Sequence, residues 1–415
     1  MDRDGLRVNA RRLQRSLESL ARIGATADGG VDRLALTDAD RQARDALVAW
    51  LDRLGLRITI DDMGNIFGLR AGRDEGVRPV MMGSHLDSQS RGGRFDGALG
   101  VMGALEVMRV LEESRVVTER PVILAAWTAE EGSRFTPSKL GSAVWAGDLD
   151  KEWVWGRPDR HGATLLEELE RIGYKGVSPC ARWPFQAYYE LHIEQGPLLE
   201  AAGRAIGVPA GIVSLHVYDI HVSGEANQVG PTPMEGRRDA LVAAAEMVLA
   251  VRALPSAAGG DMVATVGMLE VAPNCYNVIP EDVHFTVDLR GWDEALVERS
   301  WERLAGEFRG VAARHGCRLH AEESSRTGRT EFDPGLMRRI TDHAEALGLS
   351  TMSLVSGAGH DTAHLAGVGP TAMIFVPSIG GRSHTPAEET GWADCAAGAD
   401  VLLRCILEAS GTSGD

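Results

Sequence analysis

Two hydrophobic repeats alternate along the first 210 residues. Leucine and isoleucine spacings of three and four predict a helix over residues 7–23, and a second helix is predicted from Thr37 and Asp38, its capping residues, to Gly55. Short apolar runs such as VRPVMMG and PVILAAW lie between the helices that follow. Strands alternating with helices are typical of an α/β sheet that is at least partly parallel. The ends of such strands are the natural place for a functional site.

The pattern changes near residue 210. The run GIVSLHVYDIHVSGEA alternates apolar and polar residues, as strands with one exposed face do. The predicted elements then follow in β-α-β-β-α order, which is typical of a compact α+β module. After residue 330 the α/β pattern returns. We therefore predict an α/β domain in two parts, residues 1–210 and 331–415, with an α+β domain inserted at residues 211–330.

Composition and charge narrow the classes of function. The 415 residues are 44% apolar and 25% charged, close to the averages of soluble globular proteins. A formal charge of -16 argues against nucleic acid and anionic membranes as partners, because both attract basic surfaces. The five cysteines are scattered without a CxxC pair, and apolar runs stay well short of the ~20 residues of a membrane span. We expect reduced thiols and a cytoplasmic protein with no membrane segment.

The first candidate site lies in the segment after the run VRPVMMG. His85 and Asp87 lie two residues apart at the end of this predicted strand, so their side chains share one face. Asp87 is thereby placed to orient the imidazole of His85, as neighbours of metal-ligating histidines do. Asp96 follows in a glycine-rich loop that allows the backbone to approach a small site. Taken alone, the segment is equally consistent with a polar turn.

Glu130 and Glu131 follow a second apolar strand. Two adjacent carboxylates at a buried strand end repel each other, and both stay ionised only if cations compensate them. With metal ions as those cations, one glutamate would bind metal and the other would act as a general base. The alternative is a solvated first helical turn, where glutamate interacts favourably with the helix dipole.

Histidines accompany two further strand ends. His192 lies in a strand-like run before Glu194 and Gln195, and His384 follows a strand and a Gly-Gly loop. A single histidine is more often structural than a ligand. Four strand ends that each carry histidine or carboxylate side chains favour a pair of N/O sites for divalent ions, without thiolate ligands.

Taken in order, the motifs resemble the amidase/carbamoylase branch of the zinc-exopeptidase-like metallohydrolases. This branch includes N-carbamoyl-L-amino acid hydrolases, allantoate amidohydrolases and bacterial β-ureidopropionases. The resemblance covers nearly the whole chain and rests on GSHLDS, GGRFDGALGV, EEGSRF, ELHIEQGPLLE, GPTPMEGRRDA, PNCYNVIP, DLR, SGAGHD and GGRSHTPAEE. It implies a three-layer α/β catalytic domain with an inserted α+β lid through which the protein forms a homodimer.

The resemblance also implies two divalent metal ions per subunit, for which Zn, Mn, Ni and Co are equally suited. By position, His85 and His192 would bind one ion, Glu131 and His384 the other, and Asp96 would bridge them.

Roles for further residues follow from the same resemblance. Glu130 would be the general base that activates a water for attack on an amide or ureido carbon, and Asp87 would support the ligands. Arg290 would grip a substrate carboxylate through two hydrogen bonds, although a surface ion pair is the alternative for this arginine. The other residues implied to contact a small carboxylate-bearing substrate are Gln195, Asn277, Gly359 and His360. A structural role is the alternative for His360.

Two positions depart from the family pattern. Gln228 stands where the family usually has a histidine that reaches the partner subunit's site and helps hold the oxyanion or the substrate. Glutamine retains a hydrogen-bond donor but carries no charge. Arg382 stands where a small or aliphatic residue is more common. Three hypotheses stay open: an amidohydrolase of N-carbamoyl or ureido amino acids, an aminoacylase or dipeptidase-like hydrolase of another amide, and a non-catalytic binding protein.

Overall fold

A computed structural model describes residues 5–259 and 262–411 of the chain. The chain divides into two compact units. The discontinuous unit comprises Met1–Gly211 and Glu331–Asp415, and the inserted unit comprises Ile212–Thr330. Each unit has its own hydrophobic core. The last residues of the C-terminal tail, which the sequence predicts to fray, lie outside the described ranges.

Helices and strands are numbered here in chain order. The helices are α1 Ala10–Ala21, α2 Asp38–Arg53, α3 Ala98–Glu113, α4 Leu140–Ala146, α5 Lys151–Trp155, α6 Leu165–Ile172, α7 Leu198–Ala202, α8 Ala240–Ala258, α9 Glu294–Arg314, α10 Pro334–Ala346, α11 Thr362–Leu365 and α12 Trp392–Ala409. The strands are β1 Arg57–Ile60, β2 Ile66–Arg70, β3 Val80–His85, β4 Val122–Trp127, β5 Ala187–Ile193, β6 Ile206–Ile212, β7 Ser214–Ser223, β8 Met262–Thr265, β9 Leu269–Ala272, β10 Asp282–Gly291, β11 Arg318–Thr327, β12 Thr330–Glu331, β13 Thr351–Ser356 and β14 Thr371–Val376.

The discontinuous unit is built on a mixed sheet with the strand order β1-β2-β4-β3-β5-β14-β6. Strand β3 runs parallel to β4 and β5, and β14 runs parallel to β5. Every residue of these four strands is buried, as expected for strands covered on both faces. Helices α3 and α12 pack on one face, with α1 packed against both helices, and an aromatic cluster around Trp127 and Trp145 packs on the other face. The predicted three-layer α/β architecture is confirmed.

Side-chain caps set the start of the first two helices. Thr37 accepts a hydrogen bond from the backbone N–H of Asp40, so α2 begins at Asp38 as predicted. Asn9 accepts one from the backbone N–H of Arg12, so α1 begins at Ala10. The prediction that this helix starts at residue 7 was wrong, because apolar spacing carries no information about which polar residue caps the first turn.

The inserted unit has an antiparallel sheet with the strand order β11-β7-β10-β8, and β9 also pairs with β10. Buried and partly exposed residues alternate along β7 and β10. Helices α8 and α9 cover the buried face. The opposite face of this sheet, which we call the open face, carries the polar residues of the alternation. The predicted α+β architecture of the insertion is confirmed.

Helix α8 is long and apolar enough, by length and composition, to cross a membrane. The segment is not an uninterrupted apolar run, because Glu246 and Arg252 lie within it. In the structure, α8 packs against the sheet of the inserted unit through a row of buried side chains: Ala243, Met247, Val251 and Leu254. This is the arrangement of a core helix in a globular domain.

Candidate metal centre

Polar side chains meet where neighbouring strands of the discontinuous unit end. His85 is the last residue of β3, and His192 lies near the end of the parallel strand β5. Glu130 and Glu131 follow β4, and His384 follows β14. Because β4, β3, β5 and β14 are adjacent and parallel, their carboxyl ends share one edge of the sheet. Residues far apart in the sequence therefore converge there.

The first ligand group consists of His85, Asp96 and His192, all buried. Oδ1 of Asp96 lies 3.6 Å from Nε2 of His85 and 3.1 Å from Nε2 of His192. The other ring nitrogen of His85, Nδ1, lies 2.9 Å from the backbone carbonyl oxygen of Asp87. Nδ1 of His192 lies at the same distance from the carbonyl oxygen of Ile193. A proton on Nδ1 satisfies those carbonyls and leaves Nε2 with a free lone pair, which is the state that binds metal.

The second ligand group shares Asp96 with the first. Oδ2 of Asp96 lies 3.2 Å from Nε2 of His384, and Oε2 of Glu131 lies 3.3 Å from the same nitrogen. The side chain of His384 is 48% exposed, so the centre opens to solvent on this side. The structure thus brings together the five side chains for which the sequence predicts metal binding, with one oxygen of Asp96 facing each group.

Asp87 contacts its neighbours differently from the expectation. Its carboxylate oxygen Oδ1 is 3.8 Å from Nδ1 of His85, and the closer contact of that ring is to the Asp87 carbonyl. The carboxylate instead accepts hydrogen bonds from the backbone N–H groups of Glu130 and Glu131, both at 3.2 Å. In this structure the atom of Asp87 that contacts the His85 ring is therefore its backbone oxygen rather than its carboxylate. Asp87 ties the end of β3 to the turn that carries both glutamates.

Burial and mutual charge perturb the titration of the centre. Burial raises the pKa of Asp87 to about 6 and that of Glu131 to about 8, because the carboxylates lose hydration. Burial alone would lower the pKa of His384, but its hydrogen bond to Asp96 and the charge of Glu131 raise that pKa to about 9. Burial alone would raise the pKa of Asp96, but hydrogen bonds from three histidines hold it well below its usual range.

This donor set fits divalent cations. The two groups offer imidazole nitrogens and carboxylate oxygens, the ligands that zinc and its first-row neighbours accept. Within the described residues, Asp96, Glu130 and Glu131 form ion pairs only with histidines, so no lysine or arginine neutralises them. Buried carboxylates at this density require compensating positive charge.

Glu388 braces the centre and was not among the predicted site residues. Its Oε1 accepts hydrogen bonds from the backbone N–H groups of Phe95 and Asp96 at 2.8 and 3.0 Å. Its Oε2 accepts one from the hydroxyl of Ser383 at 2.8 Å. A Cβ atom added to Gly93 would lie 1.9 Å from the Glu388 carboxyl carbon, so glycine is needed there. The motif HTPAEE contained this residue, but only the fold shows that it joins the two ligand loops.

The remaining predicted residues of the discontinuous unit lie against the ligands. Gln195, expected to contact substrate, donates from Nε2 to Oδ2 of Asp96 at 2.8 Å. His360 is fully buried, and its ring packs edge-on against His192 with centroids 4.5 Å apart. Burial holds the pKa of His360 well below its ordinary value, so it is a neutral packing partner in this arrangement. Gly359 precedes it, next to the side chain of Lys139.

Three predicted substrate residues belong to the inserted unit. Gln228 and Asn277 are exposed, and Oε1 of Gln228 accepts a hydrogen bond from the backbone N–H of Gly230 at 2.7 Å. Arg290 grips Asp288 with two hydrogen bonds of 2.9 Å, from Nε to Oδ1 and from Nη2 to Oδ2. The guanidinium of Arg290 therefore makes the paired hydrogen bonds expected for a substrate carboxylate, but makes them to Asp288. This contact corresponds to the ion pair that the sequence left as the alternative.

A buried α/β sheet with histidine and carboxylate ligands at its strand ends, interrupted by an α+β insertion, defines a metallohydrolase of the zinc-exopeptidase-like class. The Peptidase family M20/M25/M40 matches residues 81–408. The chain belongs to this family.

Individual relatives match over nearly the full length. The N-carbamoyl-L-amino-acid amidohydrolase of Rhizobium meliloti is 41% identical over 97% of both chains. The allantoate amidohydrolase of Bacillus subtilis is 32% identical over 90% of this chain and 91% of that protein. The crystal structure of an amidase of the hydantoinase/carbamoylase family from Burkholderia vietnamiensis superposes with a TM-score of 0.92, at 44% identity over 98% of both chains.

Proposed function

We propose that this protein is an amidohydrolase that uses two divalent metal ions to cleave a carbon–nitrogen bond of a small N-carbamoyl or ureido amino acid. One observation carries the proposal: the two oxygens of Asp96 face two separate ligand groups, and Glu130 lies beside them. The named activities of the relatives support the substrate class. Zn, Mn, Ni and Co all suit the donor atoms.

Glu130 is the group proposed to move the proton. Its Oε2 lies 3.7 Å from Nε2 of His85, and its backbone is held by Asp87 on the N–H and by the N–H of Lys139 on the carbonyl. Among the described residues, its carboxylate has no hydrogen-bond donor, which leaves both oxygens to accept a proton from water. A fixed backbone with a free carboxylate is what a positioned general base requires.

The chemistry follows from these positions. The two ligand groups would hold the divalent cations, which when bound would supply the Lewis acidity that lowers the pKa of water and polarises a carbonyl. Glu130 takes one proton from the attacking water and returns it to the leaving nitrogen. For an N-carbamoyl substrate, the products are the free amino acid, ammonia and carbon dioxide.

Arg290 and Gln228 shape the expected substrate preference. For Arg290 to hold a substrate carboxylate, that carboxylate has to compete with Asp288. Loss of an oxyanion donor typically costs ~3 kcal/mol, and Gln228, in place of the family's histidine, supplies an amide donor without charge. We therefore propose slower turnover of ordinary N-carbamoyl amino acids than in relatives with the histidine.

The test is ammonia release from a panel of N-carbamoyl-L-amino acids and allantoate, with Mn, Zn, Ni or Co added to metal-free protein. We expect turnover with at least one metal and its loss in Glu130→Gln. Absence of turnover with every metal, or full activity of Glu130→Gln, contradicts the proposal. Ammonia-free cleavage of an acyl amino acid or a dipeptide indicates the second candidate function, which Gln228 and Arg382 motivate. Ligand binding without turnover indicates a binding protein.

We further propose a cytoplasmic homodimer formed through the inserted unit. Helix α8 and strand β8 at the sheet edge expose large apolar side chains, with Leu249 69% and Val263 58% exposed. Such surfaces are typical of subunit interfaces. Light scattering after size exclusion is the measurement, and Leu249→Glu is expected to give a monomer.

A further inference from the structure

Lys139 is a cation beside the turn that carries Glu130, and it has no role in the proposed mechanism. It lies just before α4, in a segment that runs along the turn carrying Glu130. Its backbone N–H donates to the carbonyl of Glu130 at 2.7 Å, and the next N–H, of Leu140, donates to the carbonyl of Ala129 at 3.1 Å. Lys139 is therefore held at a fixed place beside the general base.

The backbone of Lys139 is left-handed, with φ 63° and ψ 33°. This conformation costs a residue with a Cβ atom roughly 1–2 kcal/mol relative to the right-handed region, and glycine is the residue that adopts it freely. Such backbone conformations persist where the surrounding structure imposes them, and they are common at functional sites. The backbone conformation alone would favour glycine at this position, so the presence of lysine indicates a role for its side chain.

The ammonium group of Lys139 has no carboxylate partner among the described residues. Its Nζ donates to the hydroxyl of Ser138 at 2.5 Å. The two other lysines of the chain form ion pairs, Lys151 with Asp62 at 2.7 Å and Lys175 with Glu170 at 2.8 Å. Lys139 therefore differs from the other two lysines, although the chain has a formal charge of -16 and acidic partners are plentiful.

The ammonium faces the loop that the sequence assigns to substrate. A Cβ atom added to Gly359 would lie 2.8 Å from Nζ of Lys139, so the glycine leaves room for the charge. Lys139 thus lies between the general base and the substrate loop.

A second cation lies beside the other ligand group. Arg382 is exposed and forms no ion pair within the part of the chain that the structure describes. It directly precedes Ser383, whose hydroxyl oxygen lies 3.2 Å from Oδ2 of Asp96. Arg382 and Lys139 are thus two cations without a carboxylate partner among the described residues, in a chain of formal charge -16.

We infer that Lys139 binds a carboxylate on the side chain of the substrate, so that the enzyme prefers N-carbamoyl amino acids with an acidic side chain. The inference rests on the proposed function, because it names the substrate class of the same site. The carboxylate that Lys139 binds is the one on the side chain of the substrate, distinct from its α-carboxylate. A charge-assisted hydrogen bond of this kind is worth roughly 10–100-fold in kcat/KM.

The test compares pairs of substrates that differ in one charge: N-carbamoyl-L-glutamate against N-carbamoyl-L-glutamine, and the aspartate against the asparagine derivative. The variant is Lys139→Gly, because glycine keeps the left-handed backbone without strain. Lys139→Arg retains the charge, and Lys175→Gly is the control that removes a different lysine from a loop. Thermal melting of each variant reports folding.

We expect the unaltered enzyme to favour the acidic member of each pair by roughly 10–100-fold in kcat/KM. Lys139→Gly is expected to abolish the preference through KM of the acidic substrate alone. Lys139→Arg is expected to keep most of the preference for the acidic substrate, and Lys175→Gly is expected to keep all of that preference. Calorimetric binding of N-carbamoyl-L-glutamate to Glu130→Gln is expected to weaken by the same factor when Lys139→Gly is added.

Two outcomes overturn the inference while the proposed function stands. One is an unaltered enzyme that turns over the neutral member at least as well as the acidic one. The other is an equal loss for both members in Lys139→Gly, which would place Lys139 in a step common to all substrates. Failure of every N-carbamoyl compound with every metal is a different result, because it removes the proposed function itself.

Discussion

Histidine and acidic side chains cluster in both units of the protein, with opposite surroundings. In the discontinuous unit they form the candidate metal centre, where the side chain of His85 is 2% exposed. On the open face of the inserted sheet, Glu270, His284, His221 and His320 stand side by side on four strands. There the side chain of His284 is 26% exposed, donates to Asp219 at 2.9 Å and stacks on His221 with centroids 4.2 Å apart.

Burial and close spacing, rather than residue type, distinguish the candidate metal centre from the open face. Among the described residues, the groups whose ligand atoms all lie close together belong to the discontinuous unit. Carboxylates buried there cannot be hydrated, so they raise one another's pKa or require cations. On the open face, water screens the same charges, and an exposed pair contributes about 0–1 kcal/mol.

The largest effect is expected for Glu130→Gln. Glutamine retains the shape of the side chain but cannot accept the proton, so kcat should fall by roughly 10²–10⁴-fold. Metal content, measured by mass spectrometry, should not change. Glu270→Gln on the open face is the matched control and should leave kcat unaltered. A Glu130→Gln protein that has also lost its metal would show that this residue is a ligand rather than a base.

Removal of metal is expected to have the next largest effect, and the effect should grow with pH. Metal that binds only the folded state adds about 4 kcal/mol at a thousandfold excess over its Kd. In metal-free protein, Asp87 and Glu131 have raised pKa values of about 6 and about 8, so the folded state loses stability as pH rises through these values. His384, raised from 6.5 to about 9, contributes stability that is present below 6.5 and lost as pH rises through about 9.

All three groups therefore destabilise the metal-free protein as pH rises from roughly 5 to 9. The difference in Tm between metal-loaded and chelated protein should widen over this interval, because bound cations compensate the deprotonated ligands. Calorimetric scans at several pH values provide the measurement. A difference that stays constant or narrows contradicts the assignment of these groups to the metal centre.

An intermediate effect is expected for Gly93→Ala. The added methyl group would overlap the carboxyl of Glu388, which holds the backbone of Asp96. We expect a loss of about 1–3 kcal/mol in stability and roughly 10–100-fold weaker metal binding. Gly267→Ala in the inserted unit is the control, since no atom lies within 4 Å of the added Cβ. Equal effects of Gly93→Ala and Gly267→Ala would contradict the assignment of Glu388 as the residue that holds the backbone of Asp96.

The smallest effect is expected for His284→Gln on the open face. It removes an exposed ion pair with Asp219, so the free energy of unfolding should change by less than about 0.5–1 kcal/mol, with metal content and kcat unaltered. The hydrogen bond from His284 lowers the pKa of Asp219 despite partial burial. The small contribution is therefore present while Asp219 is ionised and disappears as pH falls through that lowered pKa. Loss of a bound metal in this variant would place a further site on the open face.

Local patterns predicted the elements and the residues at their ends. Buried strands followed by polar residues placed His85, Glu131 and His192 at one sheet edge, because parallel strands end together. The change from near-continuous apolar strands to strict alternation separated the two architectures near residue 210.

Contacts between loops could not be predicted from local sequence patterns. The carboxylate of Asp87 bonds the backbone of Glu130, and Glu388 bonds the backbone of Asp96, across 43 and 292 positions of the chain. Gln195, expected to contact substrate, bonds Asp96. Each of these contacts depends on where two loops meet after the sheet has formed, and spacing along the sequence does not encode that.

The interruption of the discontinuous unit imposes an order on its synthesis. His85, Asp96, Glu131 and His192 leave the ribosome before the insertion, whereas His384 and Glu388 follow it. Until β14 is made, β5 is an open edge of a partial sheet, because β14 is its neighbour on that side. At 5–20 residues per second, the interval between His192 and His384 lasts roughly 10–40 s. While the inserted unit is being translated, all residues of the first ligand group have thus been synthesised, whereas the second group still lacks His384.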